Sequence, residues 1–189
     1  MGIPSDRITP DDVLRIQAER GGDIGYELVH GQLVPVMPAS LPHGRIATFL
    51  AGELDRFVRR TGIGRVYSEA GFVFDVDNDP DRLRGPDLSY VSNATIDAAG
   101  GEPEKGFFRG IPDLAIEIES PNDRKPHIRR RAREYRDAGA KLVWTIHPNT
   151  RTAIVYRRDG PTRLLGPDEA LDGEAVLPGF RIQLAELFA

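Results

Sequence analysis

Two carboxylates of this chain sit where a strand pattern would ordinarily place apolar side chains. In Leu114-Ala115-Ile116-Glu117-Ile118-Glu119, the two-residue period of a strand sends Leu114, Ile116 and Ile118 to one face. Ala115, Glu117 and Glu119 share the other. A carboxylate inside so short an apolar run is costly unless it is solvated, paired or bound to a cation. Asp87 opens a second strand pattern over residues 88–91, directly after Gly85-Pro86. Asp and Glu oxygens completed by water suit a hard divalent ion such as magnesium. The plainer alternative is an edge strand whose acids are solvated.

The segment that follows Glu119 supplies a cation. Residues 126–138 have helical spacing, with Ile128, Ala132, Tyr135 and Gly139 marking an apolar stripe. Arg131 falls within that stripe, whereas Arg129, Arg130, Arg133 and Arg136 point elsewhere. An arginine on a core-facing stripe stays charged and needs a carboxylate or phosphate partner. Glu117 and Glu119 are the natural candidates, and a structural ion pair and a catalytic cation are both open. Glu53 lies four residues before Phe57 on another helical stripe, where it either reaches a metal site or caps the edge of the core. His43, near the start of that helix, reads more readily as a structural histidine. Residues 75–81 (DVDNDPD) resemble a calcium loop, but Pro80 replaces the required glycine and no glutamate follows at the twelfth place. A solvated hairpin tip is the better reading. No Walker-type glycine loop, Gly-x-Ser-x-Gly elbow or Rossmann fingerprint is present.

Several elements must position these residues. Thr9, Pro10, Asp11 and Asp12 open a helix over residues 9–20. Residues 26–29 and 32–36 read as a hairpin around His30-Gly31. Residues 42–61 form a second helix with Ile46, Phe49, Leu50, Leu54 and Phe57 on one side, ended by Gly62. Residues 66–76 are β-rich, and 92–110 form an irregular or partly helical insert. A strand over 114–118 precedes the arginine-rich helix, which stops at Gly139. Residues 141–147 contain the apolar run LVWTI, typical of a strand buried on both faces. Residues 152–157 pair with it across Pro148-Asn149, and Pro178-Gly179-Phe180 turns into a short C-terminal helix. The order predicts an α/β (α+β) fold, a mixed sheet flanked by helices, in one domain over residues 1–189.

Composition narrows the class. The 189 residues are 40% hydrophobic, enough for a real core. There is no cysteine, which excludes disulfides, thiolate zinc sites and a cysteine nucleophile, and fits a reducing compartment. No apolar run approaches the ~20 residues needed to span a bilayer, and the N-terminus carries no apolar signal segment, so a cytoplasmic location and no membrane partner are expected. The net charge of −4 is not that of a protein coated along DNA. The charge is uneven, however: residues 124–136 hold seven Arg or Lys and one His against a single Glu. Such a stretch can dock phosphates or simply be a solvated face.

An ordered set of residues then resembles a known family. Tyr26-Glu27-Leu28-Val29-His30-Gly31, Pro38-Ala39-Ser40 with His43, Gly85-Pro86-Asp87, Pro112-Asp113-Leu114 through Glu117, Ser120-Pro121, Tyr135, Gly139, and Val143-Trp144 with Pro148 resemble the Uma-two endonuclease family of the PD-(D/E)XK nuclease superfamily. The resemblance covers residues 9 to 158. It implies a restriction-endonuclease-like fold with Asp87 and Glu117 as ligands of Mg2+, for which Mn2+ can substitute. It implies DNA as the substrate and leaves a homodimer open. The chain departs from the superfamily pattern at Glu119, where a lysine is expected two residues after Glu117. In relatives that lysine has moved to the position of Arg131. Arginine can stabilise phosphate charge but cannot act as a base. The expected catalytic set is thus Asp87, Glu117, Arg131 and Glu53, in a magnesium-dependent endonuclease whose basic helix grips the phosphate backbone. A nuclease-like fold that no longer cuts and serves as a nucleic-acid or protein binding module is the alternative. A paired-carboxylate glycoside hydrolase is disfavoured, because a sugar cleft is usually rich in aromatics and this chain is only 7% aromatic.

Overall fold

A computed structural model describes residues 7–20, 25–120 and 125–189, with the side chain of Lys125 also left aside. Helix α1 (Pro10–Glu19) starts at Thr9. The Thr9 hydroxyl accepts from the Asp12 N–H while the Asp12 carboxylate accepts from the Thr9 N–H, a reciprocal capping box. Strands β1 (Tyr26–Val29) and β2 (Gln32–Pro35) form the expected hairpin, turned by His30 and Gly31 at positive φ. Helix α2 (Leu41–Thr61) is capped by the Ser40 hydroxyl and stopped by Gly62 at φ 68°. Its buried arc runs through Ile46, Leu50, Leu54 and Val58. Phe49, expected on that side, is 37% exposed, because the arc is centred toward Val58 and leaves Phe49 on its far margin.

The β-rich stretch 66–76 divides between two sheets. Strand β3 (Gly64–Ser68) ends at Glu69, which takes a left-handed φ of 53°, and β4 (Phe72–Val76) joins a different sheet. Strand β5 (Asp79–Arg84) returns antiparallel to β4 across a tight turn at Asp77-Asn78. Then follow β6 (Leu88–Ser92), α3 (Asn93–Ala98), β7 (Phe108–Arg109), β8 (Leu114–Ile118), α4 (Lys125–Asp137), β9 (Leu142–His147) and β10 (Thr152–Arg157). The chain closes with β11 (Arg163–Leu165), β12 (Ala170–Asp172), β13 (Arg181–Gln183) and α5 (Leu184–Leu187).

A six-stranded sheet has the order β11-β10-β9-β8-β6-β3, with β8 and β9 parallel and the other pairs antiparallel. A five-stranded sheet has the order β2-β1-β5-β4-β7, and β12 pairs with β13. This is the mixed sheet flanked by helices that the element order predicts. Strand β8 lies inside its sheet and all five of its residues are buried, which removes the reading of Glu117 as a solvated edge-strand acid.

The two faces of β8 and β9 do different work. Ile116, Ile118, Trp144 and Ile146 pack with α2, α5 and Phe180, the larger core. Each fully buried side chain of this size contributes roughly 1.5–3 kcal/mol. On the opposite face, Ala115 and Val143 pack with Ala132 and Tyr135 of α4 and with Phe72 and Phe74 of β4. That second core joins both large sheets through α4. Strand alternation sends Glu117 to this same face, between the sheets and beneath the helix.

Candidate active site

The antiparallel register of β6 and β8 sets Leu88 opposite Ile116, which brings Asp87 level with Glu117 at the end of the ladder. The Asp87 Oδ2 atom accepts from the Ile118 N–H at 2.6 Å and lies 3.0 Å from His43 Nε2. The Glu117 Oε1 atom accepts from Arg131 Nη2 and from the Tyr135 hydroxyl, each at 2.9 Å. Burial pushes the Glu117 carboxyl up to about 7; Arg131 opposes that rise, while Asp87 and Glu27 add to it. Burial and the neighbouring Glu117 hold the Tyr135 hydroxyl protonated far above its ordinary range. A cleft of about 350 Å³ opens at Asp87, walled by the small residues Gly44, Ala47 and Ala51 of α2 and by Ser68 and Glu69.

Arg131 reaches the carboxylate cluster as its helical position requires. Its second nitrogen, Nη1, lies 2.7 Å from both oxygens of Glu27, and Nη2 also donates to the Gly85 carbonyl at 3.1 Å. Glu27 accepts in addition from Arg84 Nη1 at 2.6 Å and from the Gly85 N–H at 3.3 Å. Burial alone would raise Glu27, but Arg131, Arg84 and the Gly85 N–H reverse it and hold the carboxyl below its ordinary value.

The ion pairs continue inward. Arg82 and Arg84 share one face of β5, and both reach Glu134 of α4, at 2.8 and 2.7 Å. Arg82 Nε donates to Asp79 at 2.8 Å, and Asp79 also accepts from the His30 N–H at 2.7 Å and pairs with Arg7. Asp79 is fully buried, so only Asp77-Asn78 form the tip of the hairpin that the sequence reads as solvated.

Three other residues settle away from this cluster. Glu53 does not join it. Its half-exposed carboxylate pairs with Arg56 at 2.6 Å, and it follows His43 by ten residues, about 15 Å along the helix. Helix α2 therefore sends His43, not Glu53, to Asp87. Glu119 pairs with His147 Nδ1 at 2.8 Å rather than with Arg131, and His147 Nε2 lies 2.9 Å from Thr145 Oγ1. Asp113 is occupied structurally, accepting from the Ser92 N–H and Thr95 hydroxyl at the start of α3 and from Lys141 at 2.6 Å. Arg129, Arg130 and Arg133 are exposed on α4 as predicted, and Arg136 turns to Asp137. Arg124 of the basic stretch and Pro121 of the family motif lie outside the described residues.

The sequence did not single out Arg82, Arg84 or Glu134. Their signals were present: an Arg-Leu-Arg alternation in β5, and one acid within a basic helix, three residues after Arg131 on its buried side. Among the described residues no group of three or more His, Asp or Glu side chains is arranged to hold a metal ion by itself. Asp87 and Glu117 nevertheless form a pair of hard oxygen donors with a shortage of positive charge, which suits a hydrated divalent ion.

A family model, Uma2, described as "Putative restriction endonuclease", matches residues 10–185. The chain belongs to the Uma2 family. A crystal structure of a "putative nuclease belonging to DUF820" from Anabaena variabilis resembles this Uma2 chain with a TM-score of 0.74. The two are 21% identical over 87% of this chain and 89% of that one, a likeness that shows a shared fold. No curated protein matches the chain.

Proposed function

We propose that this Uma2 member is a metal-dependent nuclease that hydrolyses phosphodiester bonds of DNA, with the whole chain as one domain. The observation that carries the reading is the juxtaposition of Asp87 and Glu117 across β6 and β8, where Asp87 lines a cleft and burial pushes the Glu117 carboxyl behind it up to about 7. A perturbed buried carboxylate beside a cleft marks a candidate functional site. A magnesium or manganese ion held there supplies Lewis acidity toward the phosphate and toward the attacking water. Asp87 and Glu117 hold that ion, and His43 and Tyr135 hold the two carboxylates. Both Nη groups of Arg131 are engaged within the protein, so its first role is to fix and partly neutralise Glu117. Exposed Arg129, Arg130 and Arg133 contact the phosphate backbone without reading bases.

Plasmid cleavage tests this directly. Nicking of supercoiled DNA in Mg2+ or Mn2+, lost in Asp87→Asn and Glu117→Gln, supports the nuclease. The internal guanidinium already seated on Glu117 favours a second reading, a binding module that has traded its metal for Arg131. That reading expects DNA retention that weakens steeply with salt and no cleavage with any divalent ion. Absence of both cleavage and DNA retention sinks the nuclease and the nucleic-acid-binding module.

A further inference from the structure

Each carboxylate of the proposed pair has one oxygen held by two protein donors. On Asp87 it is Oδ2, which accepts from the Ile118 N–H at 2.6 Å and lies 3.0 Å from His43 Nε2. On Glu117 it is Oε1, which takes Arg131 Nη2 and the Tyr135 hydroxyl, both at 2.9 Å. Among the described residues no hydrogen bond is seen at Asp87 Oδ1 or Glu117 Oε2. The donors come from three different elements. Ile118 is on β8 itself, His43 on α2, and Arg131 and Tyr135 on successive turns of α4. His43 and Tyr135 are both buried, at 6% and 0% exposure, so neither is a casual surface contact.

We infer that His43 and Tyr135 are positioning residues that restrict Asp87 and Glu117 to coordination through one oxygen each, Oδ1 and Oε2. The inference rests on the metal-dependent reading above and adds an ion preference to it. A carboxylate with one oxygen committed to two donors cannot easily swing both oxygens onto a cation. Calcium takes six to eight oxygens and readily uses carboxylates in bidentate fashion. Magnesium accepts one or two carboxylates in a tight octahedron and keeps several waters. Paired one-oxygen ligands therefore favour Mg2+ and Mn2+ over Ca2+. Outer donors of this kind are worth tenfold to a hundredfold in metal affinity.

The test is direct binding of Mn2+ to the full chain, followed by the paramagnetic signal of the free ion, with Ca2+ as competitor. Wild type should bind Mn2+, resist displacement by Ca2+, and lose binding in Asp87→Asn. Tyr135→Phe, which removes one hydroxyl from the buried site, should weaken Mn2+ by roughly tenfold or more and narrow the Mn2+ preference over Ca2+. His43→Leu should do the same, and His43→Gln, which restores an N–H donor, should recover part of the loss. Circular dichroism establishes that each variant folds; if His43→Leu does not, Tyr135→Phe carries the test. A folded Tyr135→Phe with unchanged Mn2+ affinity and unchanged Mn2+/Ca2+ ratio overturns the positioning role and leaves the nuclease reading standing. A folded wild type that binds no Mn2+ overturns the metal-dependent reading itself, and this inference with it.

Discussion

Glu27 and Glu117 flank one guanidinium, are almost equally buried, and are shifted in opposite directions. Their exposures are 4% and 5%, and each accepts from Arg131. Glu27 is held below its ordinary value, whereas Glu117 rises to about 7. Burial raises both, so the outcome is decided by how many cations each carboxylate meets. Glu27 has Arg84 as well as Arg131, and beyond it Glu134 and Asp79 meet Arg82, Arg84 and Arg7. Glu117 has only its share of Arg131 and a neutral hydroxyl, with Asp87 beside it. Among the described residues the interior half of the network is balanced, and the half at Asp87 and Glu117 has only a share of Arg131. A buried balanced network adds little net stability, but it is costly to break and fixes geometry. The unbalanced half is where an external cation gains most.

Breaking the balanced half should have the largest effect. Glu134→Leu strands Arg82 and Arg84 without their shared acid, and should cost about 3–5 kcal/mol in urea unfolding. A loss under 1 kcal/mol would show that the arginines find water or other partners. Arg131→Ala removes the cation common to both halves and should cost on the order of 3 kcal/mol, leaving Glu27 with Arg84 but Glu117 with no cation. Arg131→Lys keeps the charge without the two-pronged geometry and should retain more stability. In a cleavage-competent protein it should keep or raise the rate, since the resemblance places lysine there. A folded Arg131→Lys protein that loses wild-type cleavage would instead assign the guanidinium its own role.

The contrast between the two glutamates also predicts a pH profile. The folded chain binds the Glu117 proton more tightly than the unfolded chain does. Its contribution to stability therefore falls as pH rises from the ordinary value of 4.5 to about 7, and levels off above. The slope should approach roughly 1.4 kcal/mol per pH unit between those limits. Glu27 acts in the opposite sense: its stabilisation is present above its unfolded value and is lost as pH falls through its lowered one. Glu117→Gln should flatten the neutral-side slope and Glu27→Gln the acid-side one. A Glu117→Gln profile superimposable on wild type between about pH 5 and about pH 7 would show that burial does not perturb Glu117. The smallest effect belongs to Glu53, whose exposed pair with Arg56 should make Glu53→Ala neutral within about 0.5 kcal/mol. It should leave any cleavage activity unchanged, and a large loss of rate would restore Glu53 to the site.

Much of this was legible locally. The Thr9 capping box, the His30-Gly31 turn and the Gly62 and Gly139 stops are written in adjacent residues, and the helices and hairpin formed there. Alternation in 114–118 turned Glu117 inward, and the helical stripe turned Arg131 toward it, so their contact at 2.9 Å follows from two periodicities and a short connection. Strand β5 was not legible. Its sequence DPDRLR carries Pro and charges that argue against a buried strand, and it forms because β1 and β4 flank it and Glu134 receives its arginines. The break between β3 and β4 was equally hidden, since 66–76 has strand propensity throughout and the division between sheets depends on the turn at Glu69.

The sequence by itself determined which residues face inward, because a period of two or 3.6 is a property of neighbouring positions. Only the tertiary structure decided which inward residues meet. Glu27 lies 104 positions from Arg131 and 57 from Arg84, and no local pattern links them. Strand register gave Glu119 to His147 and left Glu117 to Arg131. The orientation of α2 brought His43, rather than Glu53, to Asp87. Charge partners are chosen by which elements pack together and in what register. That choice set the two glutamates apart, giving Glu27 two arginines and Glu117 a share of one.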